Sequence, residues 1–167
     1  MKDLQQLTVQ CMRMLQTLGI RCGRISEVTV NTRALRRWGQ CRKLPDGSFS
    51  ISIAAALLAD DTAEQAARET ILHELLHTVP GGFSHTGVWK QLAARVNRAY
   101  GLNIRATTPA KEKGAGLQER QEAAARYKFV CTGCGAEVLR FRESKFTRNY
   151  RNYHCARCGG RFRPIDL

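Results

Sequence analysis

The stretch His73-Glu74-Leu75-Leu76-His77 sets two imidazoles four residues apart, with a carboxylate beside the first. On a helix, positions i and i+4 lie one above the other, so both rings can reach a single ion. Glu74 falls at the margin of that face. It is poorly placed as a third ligand, but a metal-bound water is within its reach. Two neutral nitrogen ligands and a carboxylate that takes the water's proton are the working parts of a zinc hydrolase. The chain has four His, and two of them fall here.

The flanking residues predict the helix. Asp61-Thr62-Ala63-Glu64 reads as a capping-box variant with Asp61 as N-cap. Ala63 to Val79 is rich in helix formers, and Pro80-Gly81-Gly82 stops the run. A catalytic zinc takes three protein ligands and keeps a fourth position open. Between Thr78 and Ala110 there is no Asp or Glu, so the strong donor within reach is His85. The glycines ahead of it let the chain reverse toward the helix it has left. This excludes a carboxylate ligand on the next helix, and the shorter fixed spacing of the metzincins. Taken by itself, His85 would read as an ordinary core or surface histidine; the His73/His77 pair makes it a ligand candidate.

Upstream, apolar residues at 4, 7, 11, 14, 15 and 18 predict a helix ended by Gly19. Ile25–Val30 and Arg37–Leu44 read as strands. After the turn Pro45-Asp46-Gly47, Ser48–Ile53 alternates with period two. Downstream, Gly87–Tyr100 reads as a second helix with Val88, Leu92, Val96 and Ala99 on one face. These elements predict an α+β fold: an N-terminal helix, a small and mainly antiparallel sheet, the His-bearing helix and the helix after it.

A second constellation lies near the C-terminus. Cys131-x2-Cys134 and Cys155-x2-Cys158 are separated by 20 residues, the pattern of a four-thiolate structural zinc. Gly135 and Gly159 follow each pair, where a left-handed backbone is commonly needed. Ala136–Phe141 and Phe146–Tyr153 are expected as strands, giving a β zinc ribbon; a disulfide pairing is the lesser alternative. His154 is expected not to ligate. Cys11, Cys22 and Cys41 lack partners at metal spacing and are expected to be reduced, with Cys11 on the core face of its helix. The resulting organisation is a domain over residues 1–105, a linker or short helix over 106–126, and a ribbon over 127–167.

The 167 residues carry 27 Lys plus Arg against 14 Asp plus Glu, a formal charge of +13. Such a balance points to an acidic partner, nucleic acid above all, and says nothing of chemistry. Ten basic residues against three acidic ones lie between Arg126 and Leu167. Ribbon aromatics could stack on bases while Arg140, Arg142, Lys145, Arg148 and Arg151 meet phosphates, without sequence-specific reading. A solvated basic hairpin with buried rings is the plainer alternative. No apolar run approaches the roughly 18 residues of a membrane span. No signal core opens the chain, so it is expected in the cytoplasm, nucleoid-associated if bacterial.

These residues resemble the SprT-like metalloprotease family, which includes bacterial SprT proteins and eukaryotic Spartan. The resemblance rests on Arg37-Trp38-Gly39-Gln40-Cys41, on Glu69 through Gly81, on His85, on Trp89-Lys90, and on Tyr153 through Gly160. It implies a minimal zincin fold, a catalytic zinc held by His73, His77 and His85, and Glu74 as general base. A second, structural zinc would sit on the four cysteines. It further implies a zinc-dependent endopeptidase whose protein substrates are DNA-associated or crosslinked to DNA. A nucleic-acid-binding regulator with purely structural zinc sites is the alternative. Strand Ser48–Ile53 is the expected sheet edge for an extended substrate.

Overall fold

A computed structural model describes residues 1–34, 37–107 and 124–166. The chain forms two compact units, Met1–Gln118 and Glu119–Leu167. The expected linker lies mostly on 108–123, outside the described residues.

In the first unit, α1 (Leu4–Thr17) is capped by Asp3, whose side chain accepts from the backbone N–H groups of Gln5 and Gln6. Its Leu4, Leu7, Cys11 and Leu15 are buried at helical spacing. Strands β1 (Ile25–Asn31), β2 (Gly39–Lys43) and β3 (Phe49–Ala54) follow, then a 3-10 turn over Ala55–Leu58. Helices α2 (Glu64–His77) and α3 (Gly87–Tyr100) complete the unit.

The sheet is mixed, with order β1-β3-β2. The Pro45-Asp46-Gly47 turn joins β2 and β3 antiparallel, but β1 pairs β3 in parallel, with Val28 opposite Ile51 and Val30 opposite Ile53. This corrects two expectations. The sheet is not mainly antiparallel, and β3 is its centre rather than an edge. The reason is burial: Ile51, Ile53 and Ala54 are almost fully covered, and a strand that apolar is best paired on both sides. The outer strand beside α2 is β2.

α2 is buried nearly all round, with Ala66, Ala67, Ile71, Leu72, Leu75 and Leu76 in the core. A helix with this pattern runs through a domain rather than over it. Its N-cap is Ala63, with no side-chain cap bond, instead of Asp61. The preceding residues are held elsewhere: the Thr62 hydroxyl donates to Ala56 O at 2.9 Å and Thr62 N–H to Ala59 O at 3.2 Å. On α3 the buried residues are Trp89, Ala93 and Val96, while Val88 is 41 % exposed. The face is rotated by one position from the expected one because Trp89, the bulkiest residue, takes the interior.

In the second unit, β4 (Tyr127–Cys131) is the central strand, antiparallel to β5 (Glu137–Arg140) and β6 (Phe162–Ile165). The expected strand over Phe146–Tyr153 is instead helical: α4 (Lys145–Arg148) and a 3-10 turn over Tyr150–Asn152. Ser144 starts it, with a reciprocal capping box to Thr147. The rings of Phe146 and Tyr150 both face Phe129, with centroids 4.9 and 5.1 Å away. These aromatics are mainly the unit's core. Tyr127 and Tyr153 remain exposed.

Candidate metal centres

Three imidazoles converge in the first unit. The Nε2 atoms are 3.2 Å apart for His73 and His77, 3.0 Å for His77 and His85, and 2.9 Å for His73 and His85. The i, i+4 spacing on α2 aligns the first two. The reversal through Gly81 and Gly82 delivers the third. Gly82 packs on the Leu76 carbonyl so closely that a Cβ would collide with it, so this reversal admits no side chain there.

The outer nitrogens decide what these rings can do. His73 Nδ1 lies 3.0 Å from Arg105 O, and His77 Nδ1 2.9 Å from Gly82 O. A carbonyl only accepts, so each Nδ1 carries the proton and each Nε2 presents a lone pair. The facing lone pairs of His73 and His77 cannot bond to each other; a cation shared with His85 would satisfy them. Zinc–nitrogen bonds of about 2.0–2.1 Å in a tetrahedron place ligand nitrogens about 3.3 Å apart, near the spacing seen. Burial also holds His77 and His85 below the usual histidine value of 6.5. That favours the neutral form a ligand must take. The residues present fit a zinc ion.

Trp89 is the floor of this site. It is 2 % exposed, and its ring centroid is 4.8, 5.6 and 4.7 Å from those of His73, His77 and His85. Glu74 is buried, with 6 % exposure. A Cβ on Gly39 would lie 2.7 Å from Glu74 Cγ, so the carboxylate occupies the space that glycine leaves on β2. Cys41, also on β2, is pushed up to about 12 by burial and by the charge of Glu74, which makes it inert as a thiolate.

A cleft of about 830 Å³ opens over the imidazoles. Trp38–Cys41 line one part of it, Asn103–Arg105 another, and Phe83 a third. Phe83 is 56 % exposed. Trp89 as a platform, Gly39 as a spacer and the Arg105 carbonyl as a partner are roles that the motifs do not announce. The Gly immediately before Gln40-Cys41 was the available signal for the second.

The four cysteines of the second unit also converge, with all four Sγ atoms within 4.8 Å of one another. Cys131 and Cys158 are 3.4 Å apart and Cys134 and Cys155 3.7 Å. That is far from a disulfide, at about 2.05 Å. It is near the sulfur separation of about 3.8 Å that zinc–sulfur bonds of about 2.3 Å impose. Gly133 N–H and Gly160 N–H point at Cys131 Sγ and Cys158 Sγ, each at 3.4 Å. Gly135 and Gly159 have φ of 69° and 73°, the left-handed turns the spacing predicts. This cluster fits a zinc ribbon. Cys131 is lowered to about 7: burial opposes the shift, and the backbone groups of Cys134 and Gly133 and the neighbouring thiols outweigh it. Cys158 is pushed up to about 12 despite the Gly160 backbone bond, because the other thiols crowd it. Cys11, Cys22 and Cys41 are free, and Cys11 is buried on the core face of α1.

Of the basic candidates, Arg142, Lys145, Arg148 and Arg151 are exposed. Arg148 stands 3.9 Å from Glu143, and Arg151 lies over the Tyr150 ring. Arg140 is half-buried, its guanidinium 4.8 Å from the Phe146 ring centre and donating to Leu139 O. It is tied into the packing of the unit.

The family model described as SprT-like family matches residues 4–109. No curated protein and no solved structure matches the chain.

Proposed function

The chain belongs to the SprT-like family, and from that premise we propose that it is a zinc-dependent endopeptidase of minimal zincin fold, acting on DNA-associated or DNA-crosslinked proteins. The observation that carries the reading is the convergence of three Nε2 atoms beside a buried carboxylate, under a cleft edged by an outer strand.

His73, His77 and His85 would hold the ion. Zinc bound there supplies Lewis acidity toward a water and the scissile carbonyl. Glu74 takes the proton of the attacking water on its carboxylate and returns it to the leaving amine nitrogen. Its packing against Gly39 fixes the carboxylate before substrate arrives. The outer strand β2 offers backbone N–H and C=O groups for an extended peptide to pair with, running along Gly39–Lys43 into the cleft. Such pairing is largely blind to side chains, so selectivity needs another source.

The second unit supplies it in this reading, with Cys131, Cys134, Cys155 and Cys158 holding a structural zinc. Arg142, Lys145, Arg148 and Arg151 contact DNA phosphates, with Arg140 behind them. Four phosphate contacts give log K a slope of about −3 to −4 against log salt on single- or double-stranded DNA.

Proteolysis of a basic DNA-binding protein, with and without DNA, tests the proposal, with Glu74→Gln as control. Cleavage stimulated by DNA at low salt, fading with added salt, and absent in Glu74→Gln with zinc content unchanged, is the expected result. The competing reading, a nucleic-acid-binding regulator with structural zinc only, expects DNA binding and no cleavage by either protein. Equal cleavage with and without DNA would remove the DNA-directed part alone.

A further inference from the structure

The His73 ring is oriented by a carbonyl that belongs to no regular element. Arg105 lies just beyond α3, in a short extended return over α2, and its carbonyl accepts the Nδ1–H of His73. Three side-chain contacts fix that return. Glu69 sits one turn before His73 on the same face of α2. Its Oε1 accepts Asn103 N–H at 2.9 Å and the Gln65 amide at 3.0 Å. From the other side, Asn97 on α3 grips Ile104 twice: its Nδ2 donates to Ile104 O at 3.0 Å, and its Oδ1 accepts Ile104 N–H at 2.8 Å. Ile104 itself is 4 % exposed, packed in the core. Successive turns of α2 thus hold residues 103 and 105, and α3 holds residue 104 between them.

Resting on the zinc reading of the imidazole cluster, we propose that Asn97 is a positioning residue for the metal ligand His73, acting through Ile104 and the Arg105 carbonyl. Glu69 is the second arm of the same brace. Asn97 is outside the cleft lining and bonds to no imidazole, so it acts only through the backbone it holds. The chemistry requires a carboxamide. One donor and one acceptor are needed at the separation of a peptide's own N–H and C=O. Alanine supplies neither. Partners in the shell behind a metal ligand typically change metal affinity about 10- to 100-fold when lost.

The four-thiolate cluster in the same chain is an internal control. Full-length protein is loaded with zinc and titrated with a competing chelator, and separately loaded with cobalt(II). Cobalt on four thiolates gives intense near-ultraviolet charge-transfer bands and strong visible bands toward the red, and cobalt on imidazoles gives weaker visible bands; the thiolate spectrum, recorded alone in His77→Ala, is subtracted so that each site reports separately. In Asn97→Ala, affinity at the imidazole site is expected to fall about tenfold or more, with the visible cobalt bands altered and the thiolate site within about twofold of wild type. Glu69→Ala should do the same and Glu69→Gln, which keeps an acceptor for Asn103, should restore most of it. The Glu69 pair also carries the test if Asn97→Ala does not fold. Unchanged imidazole-site affinity with a lowered Tm would make Asn97 merely structural, and equal weakening of both sites would mean general destabilisation; either overturns the proposal. A wild-type protein that binds zinc at its imidazoles but cleaves nothing would sink the protease reading and leave the brace standing. Wild-type protein with no metal at the imidazoles would overturn both.

Discussion

The two clusters of this chain that could hold a metal ion are built by opposite means. His73 and His77 project from a helix buried on nearly every side, over the fully packed Trp89, and backbone carbonyls hold their rings. Of the four cysteines, Cys134 and Cys158 are exposed, and around them stand two short turns and a core of little more than Phe129, Phe146 and Tyr150. One frame positions its imidazoles from a packed core; in the other, the cysteines are much of what the frame has. A unit of some forty residues buries too little apolar surface to fold on packing alone, and a metal commonly makes up the difference.

Metal removal should therefore separate the two, and this is the largest effect expected. Structural zinc contributes an apparent ~10–16 kcal/mol to small domains of this kind. With chelator present, amides over 127–166 should lose exchange protection while those of α1, α2 and β3 keep it. Loss of protection in α2 along with the ribbon would break the comparison, since it would make the imidazole frame metal-dependent as well.

Trp89→Ala attacks the other frame. Removing a fully buried Trp typically costs about 3–5 kcal/mol, and here it also withdraws the surface under all three imidazoles. The first unit should melt at lower temperature and bind zinc more weakly, with the thiolate unit unchanged. Thermal unfolding followed alongside zinc stoichiometry reads both. A variant that melts lower yet binds zinc as wild type would show that the imidazoles do not depend on the Trp89 surface.

Legibility in the sequence divides along the same line. The imidazole triad was readable, because i, i+4 spacing is a local rule and the acid-free stretch after Thr78 left His85 as the donor. The thiolate pairs were readable for the same reason: two short spacings and a glycine after each. What escaped depends on contacts between distant residues. Nothing local says that β1 joins β3 in parallel from the far side, since the turn at Asp46 specifies only the β2–β3 pairing. Phe146, Tyr150 and Tyr153 have strand propensity, yet Ser144 and Thr147 cap a helix there, and the rings at i and i+4 then close on Phe129. Capping chemistry outweighed propensity in a segment too short for periodicity to speak. The brace on His73 was equally hidden, because it joins residues 69, 97 and 105 through a backbone carbonyl that carries no sequence signature.

Acid should sharpen the contrast with the smallest effect. In the ribbon the groups that bind protons are the clustered thiols themselves: Cys131 is lowered to about 7, so falling pH competes there with any metal they hold. In the first unit acid competes for the imidazoles in the same way, and a further proton-sensitive contact lies in the β2–β3 turn, away from them. Asp46 accepts from the Ser48 hydroxyl at 2.6 Å and from its N–H at 3.0 Å, and pairs with Arg24. The Ser48 bonds come first among the causes that hold its carboxyl below the usual 3.8, with Arg24 a lesser one. A carboxyl depressed in the folded state stabilises fully above its unfolded value and loses that contribution as pH falls through the folded one. Asp46→Asn should therefore lower the Tm of the first unit slightly at pH 6. The gap to wild type should close as the pH falls below 3.8, and zinc retention in the ribbon should be the same in both proteins throughout. A gap that persists unchanged into acid would mean that the turn is held by side-chain shape rather than by the charge of Asp46.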